Sequence, residues 1–151
     1  MKKTILILIT AGLFLTSSCS RSDSATTSDI TGTWLYKSVA GTISTPTGSG
    51  PMSCTNTSGT ITLNSNGSYT MSAVTSACNY TIAGMSIPIP LSISGSSGTY
   101  VRSGNSLTTT PSSGQVFMMT IQEVTTTRMI LKLNQMITTG ITADVTYTLE
   151  K

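Results

Sequence analysis

Beyond residue 30, apolar and polar residues alternate with a period of two, in runs bounded by Gly, Asn, Ser and Pro. Successive side chains of a strand point to opposite faces, so this is the pattern of half-buried strands. It predicts strands over Thr33–Val39, Thr60–Asn64, Ser68–Val74, Asn79–Ala83, Thr99–Arg102, Ser106–Thr109, Val116–Glu123, Arg128–Asn134 and Ala143–Glu150. Two pairs of these runs form hairpins, one across Asn66-Gly67 and one across Gly104-Asn105. In the first, Ile61 and Leu63 are set to face Tyr69 and Met71. In the last run, Ala143, Val145, Tyr147 and Leu149 alternate with Asp144, Thr146, Thr148 and Glu150, an unbroken two-faced register.

Eight or nine short antiparallel strands at regular spacing imply an all-β sandwich or barrel. A sandwich of the immunoglobulin type prefers a Cys…Trp…Cys order. Here Trp34 precedes both internal cysteines, Cys54 and Cys78, so the expectation is a meandering antiparallel barrel of about eight strands, closed or half-open. Gly84–Gly95 (GMSIPIPLSISG) departs from the pattern. Ile87, Ile89, Leu91 and Ile93 alternate there with Pro88, Pro90 and Ser92. Prolines remove ladder donors, so this is not a central strand. It reads as an edge strand folded over the barrel's own core, or as an apolar flap at a barrel mouth or a partner-binding edge.

The beginning of the chain is different. Lys2 and Lys3 precede an uncharged apolar run, Ile5 to Leu15. As a helix it would reach about 16 Å, short of the roughly 20 residues a membrane span needs. It reads as the apolar region of an export signal. Thr16-Ser17-Ser18-Cys19 resembles the lipobox of bacterial lipoproteins, with Thr16 where Leu is usual. The resemblance implies a signal peptide over 1–18, lipid attachment at Cys19, and a membrane anchor of several acyl chains. Ser20 directly after Cys19 is not Asp, which by likeness to enteric sorting implies the outer membrane. Residues 19–29 have no large apolar side chain and read as a flexible tether; the domain is expected over 30–151.

Composition narrows the function. Only 9% of the 151 residues are charged, while 24 Ser and 30 Thr supply hydroxyls. Threonine at this density suits half-exposed strands. Net charge is +3, and removal of Lys2 and Lys3 with the leader leaves about +1. Such a chain has no electrostatic footprint for nucleic acid. There is no histidine, which excludes a Ser-His-Asp triad, a Cys-His pair and an imidazole metal site. The five acids Asp23, Asp29, Glu123, Asp144 and Glu150 show no convergence. The hydroxyls lack an evident base. No catalytic residue, metal site or cofactor is expected, and the protein is not expected to be an enzyme.

Cys54 and Cys78 flank the first hairpin. If Ser65-Asn66-Gly67 forms a three-residue loop with Gly67 left-handed, Asn64 pairs with Ser68, and an unbroken ladder sets Cys54 opposite Cys78. Gly59 can introduce a bulge and shift the pairing by one. In an exported chain the expectation is a disulfide.

Gly32-Thr33-Trp34 opens the first strand directly after the tether and resembles the Gly-x-Trp start of the lipocalins. The hairpin Ile61 to Tyr69, bracketed by the cysteines, resembles that of bacterial lipocalin-like lipoproteins. So do Gly98-Thr99-Tyr100 and the Gly104-Asn105 turn that follows. The resemblance implies an eight-stranded antiparallel barrel with Trp34 buried at its closed end. It also implies a late-strand arginine over that ring. Arg128 is the candidate, with a solvent-exposed turn position as its plainer reading. The helix that true lipocalins carry before the last strand has no counterpart here.

Two functions follow. In the first, the barrel holds one small apolar ligand, since eight strands leave an interior of about that width. Its candidate lining is Trp34, Tyr36, Ile61, Leu63, Tyr69, Met71, Val145 and Tyr147. Met71, Met85, Met118, Met119, Met129 and Met136 suit an adaptable pocket or simply fill a core poor in aromatics. In the second, the domain is a surface or periplasmic protein–protein interaction module without a small ligand. Its mark is a filled interior with exposed apolar loops at Ile43–Met52 or Met85–Ile93.

Overall fold

The computed structural model describes residues 28–151, the side chains of 137–138 excepted. The expected signal peptide, the lipid site Cys19 and most of the tether lie outside the described residues. Eleven strands form one antiparallel sheet: β1 (Gly32–Thr45), β2 (Gly48–Ser58), β3 (Thr60–Leu63), β4 (Ser68–Met71), β5 (Val74–Ile82), β6 (Met85–Ile93), β7 (Ser96–Ser103), β8 (Ser106–Pro111), β9 (Phe117–Val124), β10 (Arg128–Thr138) and β11 (Ile141–Glu150). No helix occurs among the described residues.

The sheet closes on itself because β11 returns to pair with β1, Tyr36 opposite Leu149 and Ile43 opposite Ala143. Around the ring run β1, β3, β4, β7, β8, β9, β10 and β11, which is the expected eight-stranded meander. The remaining strands are extensions of three of these. β2 runs into β3, β5 continues β4, and β6 leads into β7. Together β2, β5 and β6 make a flap that projects from one end of the barrel, joined to the far half of β1 through Ala40↔Ser53 to Thr45↔Gly48.

The first hairpin has the expected register. Ile61 faces Met71 and Leu63 faces Tyr69. Asn64 N donates to Ser68 O at 2.9 Å and Gly67 N to Asn64 O at 3.0 Å, with Gly67 left-handed at φ 80°. Cys54 stands opposite Cys78, bonded, with Cα atoms 3.9 Å apart. The ladder between hairpin and disulfide is not unbroken. An extra residue on the first strand near Asn56 (φ 52°) is offset by one on the second, between Met71 and Thr75. The two irregularities cancel, so the register of the turn reappears at the cysteines.

β1 shows why alternation alone misplaces residues. A bulge between Tyr36 and Ser38 switches its inward positions from even to odd. Trp34, Tyr36 and then Val39 are buried. Leu63, Leu107, Met129, Leu131 and Leu149 complete the tightest part of the core around Trp34. β2 and the full length of β5 escaped the sequence reading because Gly48–Ser58 is rich in Gly, Pro and Ser and lacks β-branched apolar residues.

Candidate functional site

The two ends of the barrel differ. At the closed end Trp34 is fully buried, and its Nε1 donates to Ile30 O at 2.8 Å. The chain entering from Ser28 thus plugs the barrel with Ile30. The cation over the indole is Lys151, its Nζ 4.4 Å from the ring centroid. Arg128, the candidate for that role, instead faces Glu123 at 3.6 Å on the surface, which is its plainer reading. Gly32 has φ +112°, and a Cβ there would meet Lys151 Cε at 3.2 Å. The glycine of Gly-x-Trp is favoured by this backbone conformation, and its missing side chain also leaves room for the end of the lysine over the ring. Asp29 accepts from Thr31 N and Thr31 Oγ1. These bonds, with Lys151 and Arg102 nearby, hold its carboxyl below the usual range.

The eight side chains expected to line a ligand site all come from inward positions, and seven of them are buried in the packed core. Tyr36 and Tyr147 meet edge to face with centroids 5.8 Å apart. Burial, with the neighbouring Tyr147 and Tyr69, drives the Tyr36 phenol well above its ordinary pKa. Its hydroxyl donates to the Met71 sulfur at 3.6 Å. Burial also raises Tyr147.

Of the eight, Met71 alone reaches the larger open cavity, of about 460 Å³. This cavity lies at the mouth, where β6 passes into β7, β8 stops at Pro111 and β9 begins. Its walls are Met71, Ile93, Ser94 to Ser97, Pro111 to Ser113, Gln115 and Phe117, none of them charged. Tyr69 and Ser96 share a hydroxyl hydrogen bond of 3.3 Å behind it. Ser112 closes the rim by bonding Ser97 O through both its N and its Oγ. A smaller depression of about 280 Å³ adjoins it through Gln115 and Phe117. Of the rim, the sequence reading had Met71 as a lining candidate and Ile93 in a segment offered as a flap at a barrel mouth; it missed Ser96, Ser97 and Pro111 to Phe117, which sit at strand ends and in the 112–116 connection.

The structure is thus an antiparallel barrel closed by eight strands, plugged under a tryptophan at one end and bordered by an uncharged depression at the other. A family model described as a lipocalin-like domain matches residues 30–131, more than half of the chain. The chain belongs to the lipocalin-like domain family. No curated protein matches it.

Proposed function

We propose that this is an outer-membrane lipoprotein, anchored through Cys19, whose barrel holds one small uncharged ligand at its mouth. The observation that carries the reading is the open, charge-free cavity of about 460 Å³ beside the packed interior. Met71, Ile93, Pro111 and Phe117 offer apolar surface, and the serines offer hydroxyls. A charged ligand group would find no partner there, and an unpaired charge out of water is costly. Tyr36 gives its hydroxyl to a thioether, a weak acceptor. Met71 is flexible enough to yield to a ligand oxygen, which is the better acceptor. The ligand class is thus an apolar body carrying an ether, carbonyl or hydroxyl oxygen.

The reading is non-catalytic. Glu123, Asp144 and Glu150 each face a cation on the outer surface, Arg128, Lys132 and Lys37 respectively. The anchor and its outer-membrane address rest on residues 1–20 alone. Native mass spectrometry of the full-length chain, extracted from its membrane in mild detergent, tests both halves. Acyl mass on the Cys19 peptide and a neutral mass released from the folded barrel are expected. A Cys19 peptide without acyl mass refutes the anchor, and a barrel that is empty in every preparation refutes the carrier.

The second reading, an interaction module without a small ligand, is favoured by the packed interior and by the flap. On the flap, Met85 is 63% and Ile87 43% exposed. Partner capture with Met85–Ile93 intact and deleted separates the two.

A further inference from the structure

We infer that Pro88 and Pro90 keep the free edge of β6 from pairing with the β6 of a second copy of this chain. β6 has β5 on one side and, among the described residues, no strand on the other. The turn between them is Ala83-Gly84, with both residues left-handed at φ 49° and 79°. A two-residue turn of this kind makes its flanking residues, Ile82 and Met85, a hydrogen-bonded pair. Backbone groups alternate in direction along an antiparallel strand. Met85, Ile87, Ile89, Leu91 and Ile93 therefore turn their N–H and C=O towards β5. Ser86, Pro88, Pro90 and Ser92 turn theirs to the open edge. Both prolines fall in the outward set, and neither has an N–H. The edge presents four carbonyls but only the two donors of Ser86 and Ser92. A second β6 arriving antiparallel brings the same deficit, so carbonyl meets carbonyl along the middle of the strand.

The charge distribution explains why this edge needs such a device. Exposed edges are commonly protected by charged side chains, lysine above all. This chain has none between residues 38 and 101. The charged side chains among the described residues sit elsewhere. Lys37–Glu150, Glu123–Arg128 and Lys132–Asp144 pair on the outer wall, and Asp29, Arg102 and Lys151 gather at the closed end. Without its prolines, β6 would be an uncharged strand alternating apolar and small polar residues, the type that stacks edge to edge. The cysteine bond, which ties β2 to β5, holds the strand beneath this edge in place but does nothing to cover it.

The test compares self-association of the full-length chain in mild detergent, wild type against the P88T/P90T pair, by sedimentation velocity over a range of concentrations. The wild type is expected to remain one chain per particle. The pair is expected to associate at least about tenfold more strongly, because the restored donors add inter-strand hydrogen bonds. Adding S86K to the pair is expected to reverse the effect. Near-UV circular dichroism and an intact Cys54–Cys78 bond confirm that each variant is folded. A folded P88T/P90T chain that stays monomeric wherever the wild type does overturns the inference. So does a wild-type dimer that S86K dissolves, since that edge would be pairing with both prolines present. Should the pair not fold, single P88T and P90T variants, each restoring one donor, give the same comparison on a smaller scale.

Discussion

Removing the Cys54–Cys78 bond is the sharpest perturbation of this fold. The bond joins directly opposed residues of β2 and β5, 24 positions apart in sequence. Cys78 turns its backbone towards β6, so against β2 the two cysteines form a non-hydrogen-bonded pair, the site where antiparallel Cα atoms lie closest. The native sheet holds these strands together with or without sulfur, so the main effect falls on the unfolded chain. Closing a loop of about 25 residues stabilises by roughly 3.5 kcal/mol in the chain-entropy model. The Cys54→Ala/Cys78→Ala variant should therefore lose about 3 kcal/mol and roughly 10–15 °C in Tm for a domain of this size. Urea unfolding followed by Trp34 fluorescence measures both the loss and the slope. The slope should rise, because the unbridged chain exposes more surface on unfolding. A loss below about 1 kcal/mol with an unchanged slope would refute the argument. It would mean that the unfolded chain already holds β2 against β5 without the bond.

Other predictions are smaller. Lys151→Met should cost about 0.5–1 kcal/mol through the lost cation–π contact and shift Trp34 emission, while Arg128→Ala should stay within about 0.5 kcal/mol and leave the emission unchanged. Equal effects from the two would contradict the placement of Lys151 over the ring. Gly32→Ala should destabilise by about 1–2 kcal/mol, since it forces a side chain into φ +112° and against the Lys151 stem; a neutral result in thermal unfolding would show that neither matters. At high pH the buried phenols set the sign. Tyr36 and Tyr147 keep their protons in the fold above the ordinary value of 10.0, while the unfolded chain loses them there. Their contribution is complete below pH 10 and falls as pH rises, by up to about 1.4 kcal/mol per unit for each. Tyr36→Phe should flatten that alkaline decline in a stability–pH series, and an unchanged decline would refute it.

The site is less legible than the fold, and particular residues show why. Trp34, Ile61, Leu63, Tyr69 and Tyr147 were readable as inward positions because strand alternation is a local property of the chain. Val39 was not, because the bulge at Lys37 changes which face its neighbours take. The rim at Pro111 and Phe117 was not, because residues far apart in sequence meet only once the barrel has closed. Lys151 was missed for the same reason. Its place over Trp34 depends on β11 returning to β1, while Arg128 is turned to the surface against Glu123.

Legible in the sequence alone were most of the barrel strands, the meander and the Gly67 turn; that turn's register pointed to Cys54 opposite Cys78, and the structure keeps this pairing because two irregularities in the ladder cancel. All of these follow from backbone periodicity and turn chemistry over short stretches of chain. What only the tertiary structure decided was the closure of β11 on β1, the projection of β2, β5 and β6 as a flap, and the division into a plugged end and an open mouth. These depend on ladder partners and on where pairing stops. β8 ends at Pro111 and β9 begins at Phe117, while β6 runs along β5 before the chain enters β7, and the mouth lies where these strand ends meet.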